Sequence, residues 1–259
     1  MKTINNDYDT NAHLWWSDDE GTYSSIRYFV HPVRVAYFRE VMGRLHPGGY
    51  AGLTALDVGC GGGFLSEDLA KSGLRVTGID PSEGSLRAAT AHARESGLRI
   101  EYRAGSGEGL PFADGSFDMV FCCDVLEHVR DVDAVIREMA RVLKKGGLLF
   151  FDTINRTLES RIAVIFLLQE CPFTAFGTPD RHVWRMFIKP DELSAVLGRH
   201  GISCEGLKGI LPTNMGLSTL IGLHRASRGR ITYKELGSIM QFAAGGDLDC
   251  SYMGYGIRA

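Results

Sequence analysis

The sequence predicts an α/β fold: a mostly parallel sheet covered by helices on both faces. Three observations carry that reading. From Leu53 to Thr153, short apolar runs alternate with helical stretches, the order of a parallel sheet buried on both sides. The first apolar run breaks into Gly59-Cys60-Gly61-Gly62-Gly63 just before a helix. Asp80 closes the second run, 21 residues beyond Gly59, where an acid meets a ribose diol in a βαβ unit. With 259 residues, 44 % of them hydrophobic, the chain can build one large domain with a substantial insertion.

The elements follow in order. Residues 1–50 are helical, amphipathic and rich in aromatics (Tyr8, Trp15, Trp16, Tyr23, Tyr28, Phe29, Tyr37, Phe38). They precede the first strand and predict an N-terminal helical cap, either a packing strap or a lid, with the main domain spanning 51–259. Within that domain, strands are expected at 53–58, 75–80, 100–103, 117–122 and 148–153. Helices are expected at 64–71, at 82–95 with Ser82 as N-cap, and at 132–143. The last of these is stopped by Lys144-Lys145-Gly146-Gly147, basic residues and then glycine. Beyond 153 come an apolar helix at 158–169, an aromatic-rich loop at 170–188, and a helix at 190–200 whose Pro190-Asp191-Glu192 suits a first turn. The last two strands are expected at 202–208 and 251–258. Two lid-like insertions result, at about 155–190 and 211–248, the second holding one helix near 233–242.

Composition excludes several classes. A net charge of −3 leaves no electrostatic footprint for nucleic acid, and Arg225 to Arg230 reads as a solvated loop. Six cysteines without a C-x-x-C pair argue against structural zinc and fit a reducing, cytoplasmic setting. The polar N-terminus predicts no secretory signal. No apolar run approaches the roughly 18 residues of a spanning helix. Oligomeric state is not legible.

The glycine turn points to a nucleotide-like cofactor. Glycines at a strand–helix junction let a ligand approach the backbone. A dinucleotide fingerprint requires a glycine where Phe64 stands. S-adenosylmethionine has no pyrophosphate to cradle, but its ammonium group suits an acidic first loop carrying Asp57.

A second cluster, Asp124-Val125-Leu126-Glu127-His128-Val129, follows the fourth strand, at the end of the sheet where ligands bind. On one helical turn, Asp124, Glu127 and His128 would share a face. Three roles are open for them: ligands of a divalent cation, a His128 general base oriented by Glu127, or an ordered loop without chemistry.

Together these motifs resemble those of the class I methyltransferases. Leu110-Pro111-Phe112-Ala113-Asp114-Gly115-Ser116-Phe117-Asp118 is similar to their approach to the fourth strand, and Leu143-Lys144-Lys145-Gly146-Gly147 to their turn before the fifth. The resemblance implies a Rossmann-like fold with a seven-stranded sheet whose last strand runs antiparallel. It also implies S-adenosylmethionine contacts from Asp57, Gly59, Cys60, Gly61, Asp80 and Pro81, and from Ser106, Gly107 and Glu108 after the third strand.

A narrower resemblance is to the UbiG-type ubiquinone-biosynthesis O-methyltransferases and their eukaryotic counterparts. It rests on Trp15-Trp16 before an acidic stretch, His31-Pro32-Val33-Arg34-Val35, Asn155-Arg156-Thr157, Phe187-Ile188-Lys189-Pro190-Asp191-Glu192-Leu193 and Tyr252-Met253. It implies that Arg34 binds the cofactor carboxylate, that Asp124 and Val125 pack beside the cofactor, and that Asp124, Glu127 and His128 match a magnesium site. The implied acceptor is a small apolar phenol bearing a polyprenyl chain. The implied setting is the cytoplasmic side of a membrane, touched peripherally, with 158–176 covering the substrate or meeting lipid. The long 211–248 region departs from the pattern. It keeps two alternatives open: a natural-product enzyme acting on another oxygen, nitrogen or carbon, and a non-catalytic cofactor-binding module.

Overall fold

A computed structural model describes residues 5–17, 23–176 and 181–259. The acidic stretch at 18–20 that follows Trp15-Trp16 lies outside the described residues.

Among the described residues eight strands form one sheet: β1 (Thr54–Val58), β2 (Arg75–Asp80), β3 (Glu101–Ala104), β4 (Phe117–Cys122), β5 (Leu143–Ile154), β6 (Ile202–Pro212), β7 (Phe242–Gly245) and β8 (Ser251–Arg258). Their order is β3-β2-β1-β4-β5-β8-β6-β7. β1 to β5 pair in parallel, and β8 runs antiparallel to both β5 and β6. The α/β architecture is therefore as expected, but the sheet has eight strands, not seven. The extra strand, β7, comes from the 211–248 insertion and pairs antiparallel with the end of β6. Phe242-Ala243-Ala244-Gly245 is too short and small-sided to show a strand pattern. It forms because β6 continues past residue 208 to Pro212 and offers an edge to cover.

The described residues also form α-helices around the sheet: α1 (Asn5–Thr10), α2 (Tyr23–Tyr28), α3 (His31–Leu45), α4 (Phe64–Lys71), α5 (Glu83–Glu95), α6 (Val132–Val142), α7 (Leu158–Ser160), α8 (Pro190–Arg199), α9 (Leu217–Ala226) and α10 (Tyr233–Met240). Ser82 caps α5 by accepting from Ser85 N, as its position predicts. Two expectations change. The 158–169 helix is α-helical for one turn only and continues as a π-helix over Arg161–Glu170. The insertion holds two helices, not one. α10 stops at Met240 because Gln241 adopts a left-handed φ of +50°.

Each face of the sheet carries its own core. On one, Val120, Leu149 and Phe151 pack with Val135, Ile136 and Met139 of α6 and with Leu193 and Leu197 of α8. On the other, Phe121 and Phe150 stack at 4.8 Å, and Phe38 of α3 leans on both at 5.8 and 5.0 Å. Val35, Val41 and Met42 of α3 join that core, so α3 is held rigidly under the sheet. A separate cluster, Phe29, Leu223, Leu236 and Met240, fastens α9 and α10 to the α2–α3 junction.

This topology reverses direction between β1 and β4, whose carboxyl ends therefore flank a crevice. Where the insertion returns, β6 runs against the chain at Asp247: a Cβ on Gly209 would lie 1.6 Å from the Asp247 carbonyl oxygen. Gly209→Ala is accordingly expected to destabilise the fold by about 1–3 kcal/mol, the usual cost of overpacking, read as a lowered urea midpoint with an unchanged slope.

Candidate active site

The crevice opens into a cavity of about 600 Å³. Its walls include every residue expected at a cofactor: Arg34, Asp57, Gly59, Cys60, Gly61, Asp80, Pro81, Ser106, Gly107, Glu108, Asp124 and Val125. His128 lines it too.

The glycine loop is held by backbone bonds on its strand side. The amides of Gly59 and Cys60 both donate to Ile79 O, at 2.8 and 3.1 Å. Gly59 has φ +72°, and a Cβ there would sit 2.2 Å from Val125 Cγ2; only glycine fits. Asp80 binds the loop from the side. Its carboxylate accepts from Gly61 N at 2.9 Å and from Ser82 N at 2.8 Å, tying β1's turn to the start of α5. Burial pushes the Asp80 carboxyl up against these two bonds. Asp57, raised by burial to about 6, faces Ser66, whose hydroxyl donates to it at 2.6 Å.

Arg34 comes from α3, the helix locked under the sheet. It is 3 % exposed. Its Nη2 donates to Asp124 Oδ2, and its Nε lies 3.0 Å from Asp152 Oδ2. Asp152 Oδ1 in turn accepts from Asp124 N at 2.9 Å. Burial alone would weaken the guanidinium's proton affinity, but Asp124 and Asp152 outweigh it and hold that affinity above the ordinary value. These contacts keep Asp124 at φ +55°, a left-handed geometry rare outside glycine.

That geometry corrects the expected helical face of Asp124, Glu127 and His128. The segment makes only one 3₁₀ turn, Leu126–His128, and Asp124 swings to Arg34. Glu127 points inward. Its Oε2 accepts from Thr153 Oγ1 at 2.8 Å, while its Oε1 has no hydrogen-bond partner among the described residues. Burial, helped by the Asp124 charge, drives its carboxyl far above the usual range. His128 is lowered to about 4 by burial, so its ring is neutral at pH 7, with Nδ1 unpartnered among the described residues. The ring lies 5.0 Å from that of His182, tilted by 33°. His182, also driven down by burial, is steadied by Gln169, whose side-chain oxygen lies 3.1 Å from its Nδ1 and accepts from its backbone N–H.

The set that the resemblance matched to magnesium, Asp124, Glu127 and His128, is not gathered as one donor group, since an Asp124 oxygen is engaged by Arg34. The donors that do gather are Glu127, His128 and His182, with ligand atoms within 4.8 Å of one another. Two imidazoles and one carboxylate suit a borderline cation instead.

Sequence reasoning missed Asp152, Thr153 and His182. An acid and a threonine inside the apolar fifth strand were a visible signal for the first two. His182 comes from the loop preceding Phe187, and nothing local marks it.

The chain's similarities agree with this geometry. A family model described as a methyltransferase domain matches residues 56–151. The chain is 39 % identical over 211 residues to the ubiquinone biosynthesis O-methyltransferase of Caulobacter vibrioides, covering 77 % of this chain and 80 % of that protein. It is 42 % identical over 202 residues to the protein of that name from Xanthomonas axonopodis pv. citri, with coverage of 77 % and 80 %. Among solved structures, magnesium protoporphyrin IX methyltransferase from Synechocystis with bound SAH shares the fold at a TM-score of 0.62 and 21 % identity, over 98 % of this chain and 95 % of that one. YcgJ of Bacillus subtilis shares it at 0.62 and 19 %, over 87 % and 97 %.

Arg34→Met leaves two carboxylates facing each other without a cation. It is expected to cost about 3–5 kcal/mol, measured by denaturant unfolding. The triple change with Asp124→Asn and Asp152→Asn should recover most of that loss.

Proposed function

The chain belongs to the ubiquinone biosynthesis O-methyltransferase family of S-adenosylmethionine-dependent methyltransferases, and from that premise we propose that it methylates a phenolic or catechol oxygen on a polyprenyl-bearing precursor. The observation that carries this reading is the placement of a neutral, buried imidazole, His128, in the same cavity as the glycine loop and Asp80.

Bound S-adenosylmethionine supplies an electrophilic methyl group on a sulfonium. The chain's residues supply position and a proton acceptor. Arg34 offers a fixed cation for the cofactor carboxylate, its own charge held by Asp124 and Asp152. Asp80 retains lone pairs for the ribose hydroxyls. His128 takes the acceptor's hydroxyl proton as the oxygen–methyl bond forms and the carbon–sulfur bond breaks. Holding the two reactants aligned in a closed cavity accounts for most of the acceleration, and proton transfer adds about 10²–10⁴-fold.

An apolar acceptor suits the outer surface. Exposed large hydrophobics gather on the two insertions: Leu158, Ile162, Phe166 and Phe173 on one, Met215, Leu217, Leu220 and Ile221 on the other. The Phe173 carbonyl accepts from Ser227 Oγ and lies 2.9 Å from His224 Nδ1, next to α9's last turn, so the insertions adjoin. Among the described residues no helix is long and apolar enough to cross a membrane. We therefore read this face as resting on lipid, where a prenylated acceptor resides.

His128→Ala is expected to lower kcat with a catechol by about 10²–10⁴-fold while product cofactor still binds in calorimetry; Asp80→Ala should instead weaken that binding. His128's folded-state pKa is depressed. Its contribution to stability is thus complete above the ordinary histidine range near 6.5 and is lost as pH falls through about 4. Activity should fall as pH drops through about 4, where the folded-state ring gains its proton, and stay flat in this limb above that range. Dialysis against a chelator should leave turnover intact. A loss restored by zinc would transfer His128's role to a cation held with Glu127 and His182. Acceptors with and without prenyl tails separate the ubiquinone reading from the natural-product one. Flotation with anionic vesicles should recover the protein, and Leu217→Glu with Phe173→Glu should abolish recovery; equal recovery of both proteins would remove the lipid reading.

A further inference from the structure

The cavity has two covers from distant parts of the chain. On the cofactor side, Tyr8 and Trp15 form its wall. Trp15 lies flat on the glycine loop: Cβ atoms on Gly61 and Gly62 would come within 2.4–2.6 Å of its ring. Its Nε1 donates to Ser85 Oγ at 2.9 Å, and Trp16 Nε1 donates to Gly62 O at 2.9 Å. Asp9 fastens the same strap to α5, accepting from Ser82 Oγ and Gly84 N. On the acceptor side, Val183 and Met186 form the wall, and His182 leans on His128.

One side chain joins the covers. Arg181, next to His182, places its guanidinium 5.1 Å from the Tyr23 ring centre and 5.8 Å from that of Tyr8. Those rings belong to a continuous stack with Trp15: Tyr8 to Tyr23 at 5.7 Å, Trp15 to Tyr23 at 4.2 Å. Burial pushes the His128 ring toward its neutral form and the Tyr8 hydroxyl up, and the Arg181 charge reaches both, adding to the first shift and opposing the second.

We propose that Arg181 is a positioning residue that latches the acceptor-side cover to the aromatic strap over the cofactor, so that filling either half of the cavity tightens the other. This rests on the methyltransferase reading of the site. An acceptor packed against Val183 and Met186 holds residues 181–186 in this arrangement and so keeps the guanidinium on the Tyr8 and Tyr23 faces, where a cation is attracted to the ring quadrupole. The seated cation then holds the Tyr8–Tyr23–Trp15 stack down on Gly61 and Gly62. Linkage makes the effect reciprocal: bound cofactor raises acceptor affinity by the same factor.

The test is the affinity of S-adenosylhomocysteine, titrated by calorimetry with and without saturating catechol. In the unaltered protein catechol is expected to tighten that affinity about fivefold or more, the lower end of site–site coupling. Arg181→Ala should bring the ratio close to one while changing affinity without catechol by less than about twofold. Arg181→Lys should keep part of the coupling, since an ammonium also binds ring faces. Tyr23→Leu should lose it as Arg181→Ala does, and combining the two should add nothing further. The same coupling in Arg181→Ala as in the unaltered protein, or none in either, overturns the proposal. If Arg181→Ala does not fold, Arg181→Gln and Tyr23→Leu read the same ratio. Failure of S-adenosylhomocysteine to bind at all would instead sink the methyltransferase reading.

Discussion

One buried guanidinium organises the reactive end of this protein. Arg34 reaches up from α3 to the carboxyl ends of β4 and β5, where Asp124 and Asp152 meet it. Three elements distant in sequence are thereby held in one arrangement. An unpaired charge in that position would be intolerable, so the loop after β4 has little freedom. It turns through a left-handed Asp124, carries Val125 against Gly59, and delivers Glu127 and His128 inward. The glycine loop, the acidic turn and the imidazole owe their common geometry to that ion pair network.

The same burial sorts the titratable groups by role. Glu127 and His128 are adjacent in sequence, yet burial moves them in opposite directions, toward a protonated carboxyl and a neutral ring. Both shifts favour the uncharged form. A cavity that holds a cationic cofactor beside a neutral phenol therefore gains few competing charges from Glu127 and His128, while the Arg34 charge is tied up by Asp124 and Asp152. Environment, rather than residue type, makes this division.

Much of this was legible in the sequence. Gly59 to Gly63 and Asp80 announce the cofactor crevice because their roles are local: a turn that only glycine makes, and an acid at a fixed distance from it. Arg34 was found only through family resemblance, since nothing around it in α3 marks an ion pair with residues 90 and more positions away. The Asp124–Glu127–His128 face was misread because helical spacing ignores a tertiary partner. Arg34 draws Asp124 into a backbone region that local propensity disfavours. His182 was invisible for the related reason that a donor set assembled from separate loops has no spacing at all. β7 escaped because a four-residue edge strand is induced by its neighbour, not by its own pattern.

That short strand has a bearing on how the protein behaves in a crowded solution. β6 runs for eleven residues, and without the insertion its outer side would present a long row of unpaired amides and carbonyls. Such an edge is a template for a second chain. β7 pairs with only Gly209 to Pro212, but the sheet then ends in a strand four residues long. The insertion thus interrupts the free edge of the sheet, leaving two short stretches where one continuous template for self-association would lie.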